Sequence, residues 1–136
     1  MFVHLETQGT TLYQRVGGDA FFASLVDRFY AGIESDPLLR PLYPTDLARP
    51  KRHLALFLAQ YWGGPHTYSE ERGHPRLRMR HVRFRIGPAE REAWLMHMRA
   101  AVESSNASPS DAAALMAYFE SAATSLLNGP KAQPLE

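Results

Sequence analysis

Apolar residues recur at three- and four-residue spacing in four separate stretches of the chain, which is the pattern of helices that bury one face. The first stretch is Phe22, Leu25, Val26, Phe29, Tyr30 and Ile33, and the second is Leu54, Phe57, Leu58 and Tyr61. The third is Trp94, Leu95, Met98, Ala101 and Val102, and the fourth is Leu115, Met116, Phe119, Ala122, Ala123 and Leu126. No strand-like alternation competes with them, so the pattern predicts an all-α protein. Proline fits the first turn of a helix and glycine its end. Gly87-Pro88 and Ser108-Pro109 therefore read as starts, and Gly63-Gly64 and Asn128-Gly129-Pro130 as stops. Pro50 is expected as the first residue of its helix. Ser108 with Asp111 three positions later resembles a capping pair, although the usual partner is Glu or Gln. Shorter helical pieces are predicted at Thr11 to Val16 and Asp36 to Leu42. Gly63 to Gly73 is rich in turn formers and reads as a long loop.

Composition narrows the chemistry. With 136 residues, 45% of them hydrophobic, the chain suits one domain with a real core. The expected domain covers residues 12–129, with a mobile extension at 1–11 and a tail at 130–136. Cysteine is absent, which excludes disulfides and thiolate-held metal clusters, so any metal would be held by histidine or oxygen. The opening MFVHLETQGT has neither the basic start nor the apolar run of a signal peptide, and no stretch approaches the roughly 18 apolar residues of a membrane span. A cytoplasmic protein is the expectation.

Tyr30, Tyr61 and Trp94 put polar tips on apolar faces. Such groups find a hydrogen-bond partner when buried, either as ordinary core fillers or as donors into a pocket, and spacing leaves both open. Of the six histidines, His4, His66 and His97 are expected on the surface and His53 at a rim. His74 ends ERGH, an E-x-x-H form known from di-iron bundles. A second copy is missing, and Gly73 and Pro75 interrupt the helix it needs. Leu77, His81 and Phe84 would share one face of a short helix. A lone histidine there is more often a satisfied core residue than a ligand, and the residues alone leave ligation open.

His81 sits within GHPRLRMRHVRFRI, Gly73 to Ile86, which holds five arginines and no acidic residue. The chain as a whole carries a formal charge of only +1, and it has no recognised nucleic-acid motif. A nucleic-acid surface is therefore not expected, because polyanion binders collect a clear basic excess.

The run YWGGPHTYSEERGHPRLRMRHVRFRI, Tyr61 to Ile86, followed by EREAWLMHMRAAV, Arg91 to Val102, closely resembles the group II, or O-type, truncated haemoglobins. The likeness extends to YQRVGGDAFFASLVDRFYAGIESDPLLRPLYP, Tyr13 to Pro44. Tryptophan before Gly-Gly, then RLRMRH, then a tryptophan 13 residues after the histidine is a specific combination. The resemblance implies a truncated globin, a two-over-two helical sandwich around haem b (iron protoporphyrin IX). His81 would be the proximal iron ligand, and Tyr30, Tyr43 and Trp94 the distal polar cluster. Leu54, Phe57, Leu58, Leu77, Phe84 and Ile86 would supply the apolar pocket. Arg80 first, then Arg78, with His53 and Tyr61 at the edge, would meet the haem propionates. His53 departs from the arginine carried there by many relatives, and Pro50 stands where other globins place a distal histidine or glutamine.

The function so implied is reversible binding of O₂, and also of CO and NO, with high affinity and slow release, for oxygen storage, sensing or redox protection. No catalytic residue is assigned. The alternative is an NO dioxygenase or peroxidase, which would need a separate reductase because the chain contains no flavin or nicotinamide domain. A homodimer is compatible with the resemblance, and no membrane or nucleic-acid partner is implied.

Overall fold

The computed structural model describes residues 10–81 and 84–128. His4, Arg83, the Gly129-Pro130 stop and the tail lie outside them, as does the N-terminal extension apart from Thr10 and Thr11. Among the described residues the chain is helical without strands: α1 (Leu12–Val16), α2 (Asp19–Glu34), a 3₁₀ turn at Arg40–Leu42, α3 (Ala48–Tyr61), α4 (Thr67–Arg72), α5 (Leu77–His81), α6 (Pro88–Glu103) and α7 (Pro109–Ser125). Helix α2 packs on both α3 and α6, and α6 packs on α7. Two pairs of helices thus cross in two layers.

The apolar stripes meet between these layers. Phe22, Leu25, Val26, Phe29, Tyr30 and Ile33 of α2 are all buried, with Leu58 of α3, Leu95, Met98, Ala101 and Val102 of α6, and Leu115, Phe119 and Ala123 of α7. The remaining members of the four stripes are only half-buried, with Tyr61 as the exception. Tyr61 is 53% exposed, which corrects its expected place on a core face. It is the last residue of α3, where the helix has run past the layer it covers.

Local chemistry fixes the helix ends. Thr11 Oγ1 accepts from the Gln14 N–H while Gln14 Oε1 accepts from the Thr11 N–H, closing a capping box on α1. Ser108 Oγ accepts from the Asp111 N–H, but the Asp111 carboxylate does not reach back. It accepts from Arg15 at 2.9 Å, tying α1 to α7 across the chain. Helix α3 starts two residues before Pro50, whose missing N–H falls in the first turn where no intrahelical partner exists. Gly63 has φ +108°, and a Cβ there would lie 2.6 Å from Thr11 Cβ. Glycine at this point lets α1 close on the end of α3, where the Tyr13 N–H donates to the Trp62 carbonyl.

Two expectations need correction. The segment between Gly63 and Gly73 is not a continuous loop but contains α4. Gln60 on α3 holds it from both sides, accepting from the Ser69 N–H and donating to Ser69 Oγ, and Tyr68 buries its ring edge-on to Phe57. His97 is not a free surface residue either: its Nε2 donates to Asp36 Oδ2 at 2.6 Å with both side chains mostly buried. Gly32 makes room for that ring, since a Cβ there would stand 2.4 Å from His97 Nδ1.

This hydrogen bond is the main reason the Asp36 carboxyl ionises below its ordinary value; burial opposes the shift, and the amides of Leu38 and Leu39 add to it. A lowered carboxylate stabilises the fold above its ordinary value of 3.8, and that contribution is lost as pH falls through the lowered value. Asp36→Asn should therefore cost on the order of 1 kcal/mol at neutral pH. It should also flatten the loss of stability below pH 4 on the order seen in the parent; parallel urea melts across the acid range measure both.

Candidate haem and gas-binding site

The half-buried stripe positions surround a cavity of about 340 Å³, a size typical of small-molecule sites. Its walls come from α2, the 3₁₀ turn, α3, α5, α6 and α7. Leu54, Phe57, Leu58, Leu77, Phe84 and Ile86 all line it, together with Phe29, Leu39 and Phe119. Helical periodicity faces Phe29, Leu54, Phe57, Leu58, Leu77 and Phe119 inward, while Leu39, Phe84 and Ile86 reach the cavity from the segments between helices.

His81 lies on one wall, at the end of α5. That helix is launched by Arg76, which takes φ +46° after Pro75, an uncommon left-handed geometry for a non-glycine residue. The Arg76 N–H donates to His74 Nδ1 and its carbonyl accepts from the Arg80 N–H, which supports the turn. One turn later His81 Nδ1 donates to the Leu77 carbonyl at 2.7 Å. With Nδ1 carrying the proton, Nε2 is left with its lone pair, the form in which a neutral imidazole ligates metal.

Tyr30, Tyr43 and Trp94 also line the cavity. The Tyr30 and Tyr43 rings meet edge to face at 5.5 Å, and Trp94 packs edge-on to Phe29 at 5.1 Å. The Trp94 indole can only donate, whereas the Tyr43 hydroxyl can donate or accept. Burial pushes the Tyr43 phenol up to about 12, against a smaller lowering by the neighbouring Trp94 indole. Burial, and secondarily Tyr43, pushes Tyr30 up as well. Both phenols are neutral donors through the physiological range.

The four residues expected at the propionates are not in the cavity lining. Arg78 is exposed, and Arg80 is exposed with its Nε donating to the Pro75 carbonyl at 2.6 Å. His53 Nε2 faces an Arg72 nitrogen at 3.3 Å; burial first, then the charges of Arg72, Arg49 and Arg52, holds His53 below its ordinary value. Tyr61 turns outward onto Tyr118, with ring centroids 4.3 Å apart. Sequence reasoning missed three residues here. Tyr118 and Arg91 line the cavity, and Arg72, whose Nε is buried without a partner among the described residues, stands beside His53. Tyr118 adjoins the stripe residue Phe119, and that adjacency was its one local signal.

The residues present fit a haem group on their own chemistry: an apolar slot, one imidazole with a nitrogen left over, and the Arg91 guanidinium in the lining.

The sequence pattern of the bacterial-like globin family matches residues 11–128. A group 2 truncated hemoglobin from Bacillus subtilis is 45% identical over 86 residues, covering 63% of this chain and 65% of that relative. The chain thus spans a little under two thirds of that relative's length. The crystal structure of a hemoglobin from the thermophilic phototrophic bacterium Chloroflexus aurantiacus is similar with a TM-score of 0.86 and 52% identity, covering 88% of this chain and 98% of that one. A truncated oxygen-avid haemoglobin from Bacillus subtilis gives a TM-score of 0.83 and 37% identity, covering 88% of this chain and 100% of that one. With an all-helical two-over-two fold and a family match along nearly all its described length, the chain belongs to the bacterial-like globins, as a group II truncated haemoglobin.

Proposed function

We propose that the chain binds haem b through His81 and uses it to hold O₂, and also CO and NO, tightly and with slow release. The observation that carries this reading is the presence, in the lining of one apolar cavity, of an imidazole whose Nδ1 is already committed to Leu77 together with Tyr30, Tyr43 and Trp94. Haem supplies an iron centre able to bind a diatomic gas. Every other part of the task falls to side chains. The Leu77 carbonyl fixes the tautomer and orientation of His81. Leu54, Phe57, Leu77 and Phe84 line the cavity and would keep water from a porphyrin held there. Arg80 and Arg78, next to His81 in sequence, carry charge for the acid arms, with His53 and Arg72 at the edge of α3 and α4. Tyr61 has no propionate role in this proposal, since it faces Tyr118.

Trp94 and Tyr43, which line the same cavity, would donate to a bound gas, and Tyr30 orients Tyr43 through their edge-to-face contact. Their hydrogen bonds would favour a guest that takes on negative charge over a less polarised one. The similarity to an oxygen-avid haemoglobin supports the same reading. Slow release suits storage, sensing or redox protection in the cytoplasm better than transport.

The decisive experiment is an absorption spectrum of purified protein, first oxidised and then reduced under CO. A strong Soret band that shifts with CO is expected, and His81→Ala should lose stable haem; a protein that stays colourless after incubation with hemin overturns the reading. Trp94→Phe should speed O₂ dissociation by about 10- to 100-fold, the equivalent of a hydrogen bond worth roughly 1.5–3 kcal/mol, as stopped-flow displacement by CO would record.

A further inference from the structure

The aromatic rings of this chain do not end at the cavity wall. Tyr118 lines the cavity, and its ring lies 4.3 Å from that of Tyr61, tilted by 35°. Tyr61 is 53% exposed. Two phenols therefore span from the cavity to solvent in direct ring contact. Trp62 completes a triangle with them, at 5.1 Å from Tyr61 and 6.0 Å from Tyr118. On the inner side Phe119 touches both Tyr118, at 5.5 Å, and the donor Trp94, at 5.8 Å. A core needs no exposed phenol stacked on a half-buried one, and gas binding gives neither ring a task.

We infer that Tyr118 and Tyr61 form an electron relay between the haem cavity and the surface, through which small phenolic reductants that meet Tyr61 are oxidised at the expense of hydrogen peroxide. This rests on the haem reading, since haem would supply the redox centre. The chemistry balances as follows. One peroxide takes up two electrons and two protons and leaves as two waters. Each electron comes out through Tyr118 and is drawn from Tyr61, which loses its phenolic proton to water and becomes a neutral phenoxyl radical. A phenol then passes a hydrogen atom to Tyr61, restoring it and leaving as its own phenoxyl radical; two phenols are consumed for each peroxide.

The environments of the three rings direct the radical outward. A phenol that loses an electron must also shed its proton. Burial, and secondarily Tyr61, pushes the Tyr118 phenol up to about 12, so Tyr118 parts with a proton reluctantly. The Trp62 indole N–H is buried without an acceptor among the described residues. Tyr61 alone of the three is exposed, with water to take the proton.

The test uses haem-loaded protein whose Soret band and CO shift have been recorded beforehand. Hydrogen peroxide without a donor should give a tyrosyl radical in freeze-quenched EPR spectra. Pairs of Tyr61 radicals should then join through a ring carbon–carbon bond, giving a covalent dimer with dityrosine fluorescence, one peroxide consumed per bond. Guaiacol should suppress the dimer. Tyr61→Phe should lose most of the dimer and of the guaiacol oxidation while its CO spectrum stays that of the parent, and Tyr118→Phe should delay the radical at Tyr61. Undiminished dimer in Tyr61→Phe, or an undelayed radical in Tyr118→Phe, overturns the relay and leaves gas binding standing. Failure to take up haem at all overturns both.

Discussion

A small core built around a large apolar hole is the constraint on which everything else in this protein depends. At about 24 cal/mol per Å³, a cavity of about 340 Å³ lacking filling atoms would cost up to on the order of 8 kcal/mol, which rivals the roughly 5–15 kcal/mol stability of a whole domain. A mouth reaching water lowers that figure, but the comparison still decides the design. The fold is organised to be completed by a broad apolar guest, and haem meets that need while bringing the iron that makes the guest useful.

The layers are held apart by contacts at the margins and not by the cavity walls. Asp36 and His97 link the end of α2 to α6 beside a glycine that makes room for the ring. Arg15 and Asp111 join α1 to α7. Gln60 anchors α4 onto α3. These polar ties lie outside the apolar slot, so the rings lining it can remain half-buried. Tyr30 and Tyr43 gain from the same arrangement, because burial keeps both phenols protonated beside the cavity they line.

The arginine-rich stretch looks different once folded. Its net positive charge surrounds the histidine on a five-residue helix, and Arg80 satisfies the Pro75 carbonyl at the entry to that helix. Some of the charge therefore supports the helix carrying His81, and the exposed remainder is suited to an acidic group at the cavity edge. Arg72, with a buried nitrogen lacking a partner among the described residues, adds a further positive charge beside His53 from a segment that looked like loop.

By itself the sequence determined the four long helices and all of their inward stripes but Tyr61, because each follows from a period of 3.6 residues or from a local cap; the cavity residues from Leu54 to Ile86 came with the family likeness. The likeness of RLRMRH and its flanking tryptophans to group II truncated haemoglobins determined the family. Tertiary structure alone decided that α4 is a helix, since Gln60 and Phe57 hold it in place. It alone paired His97 with Asp36 across 61 positions, and it turned Tyr61 away from the slot onto Tyr118. Periodicity says which face of a helix is apolar. It does not say how far the opposing layer extends, and at the ends of α3 and α6 that extent separates a core residue from a surface one.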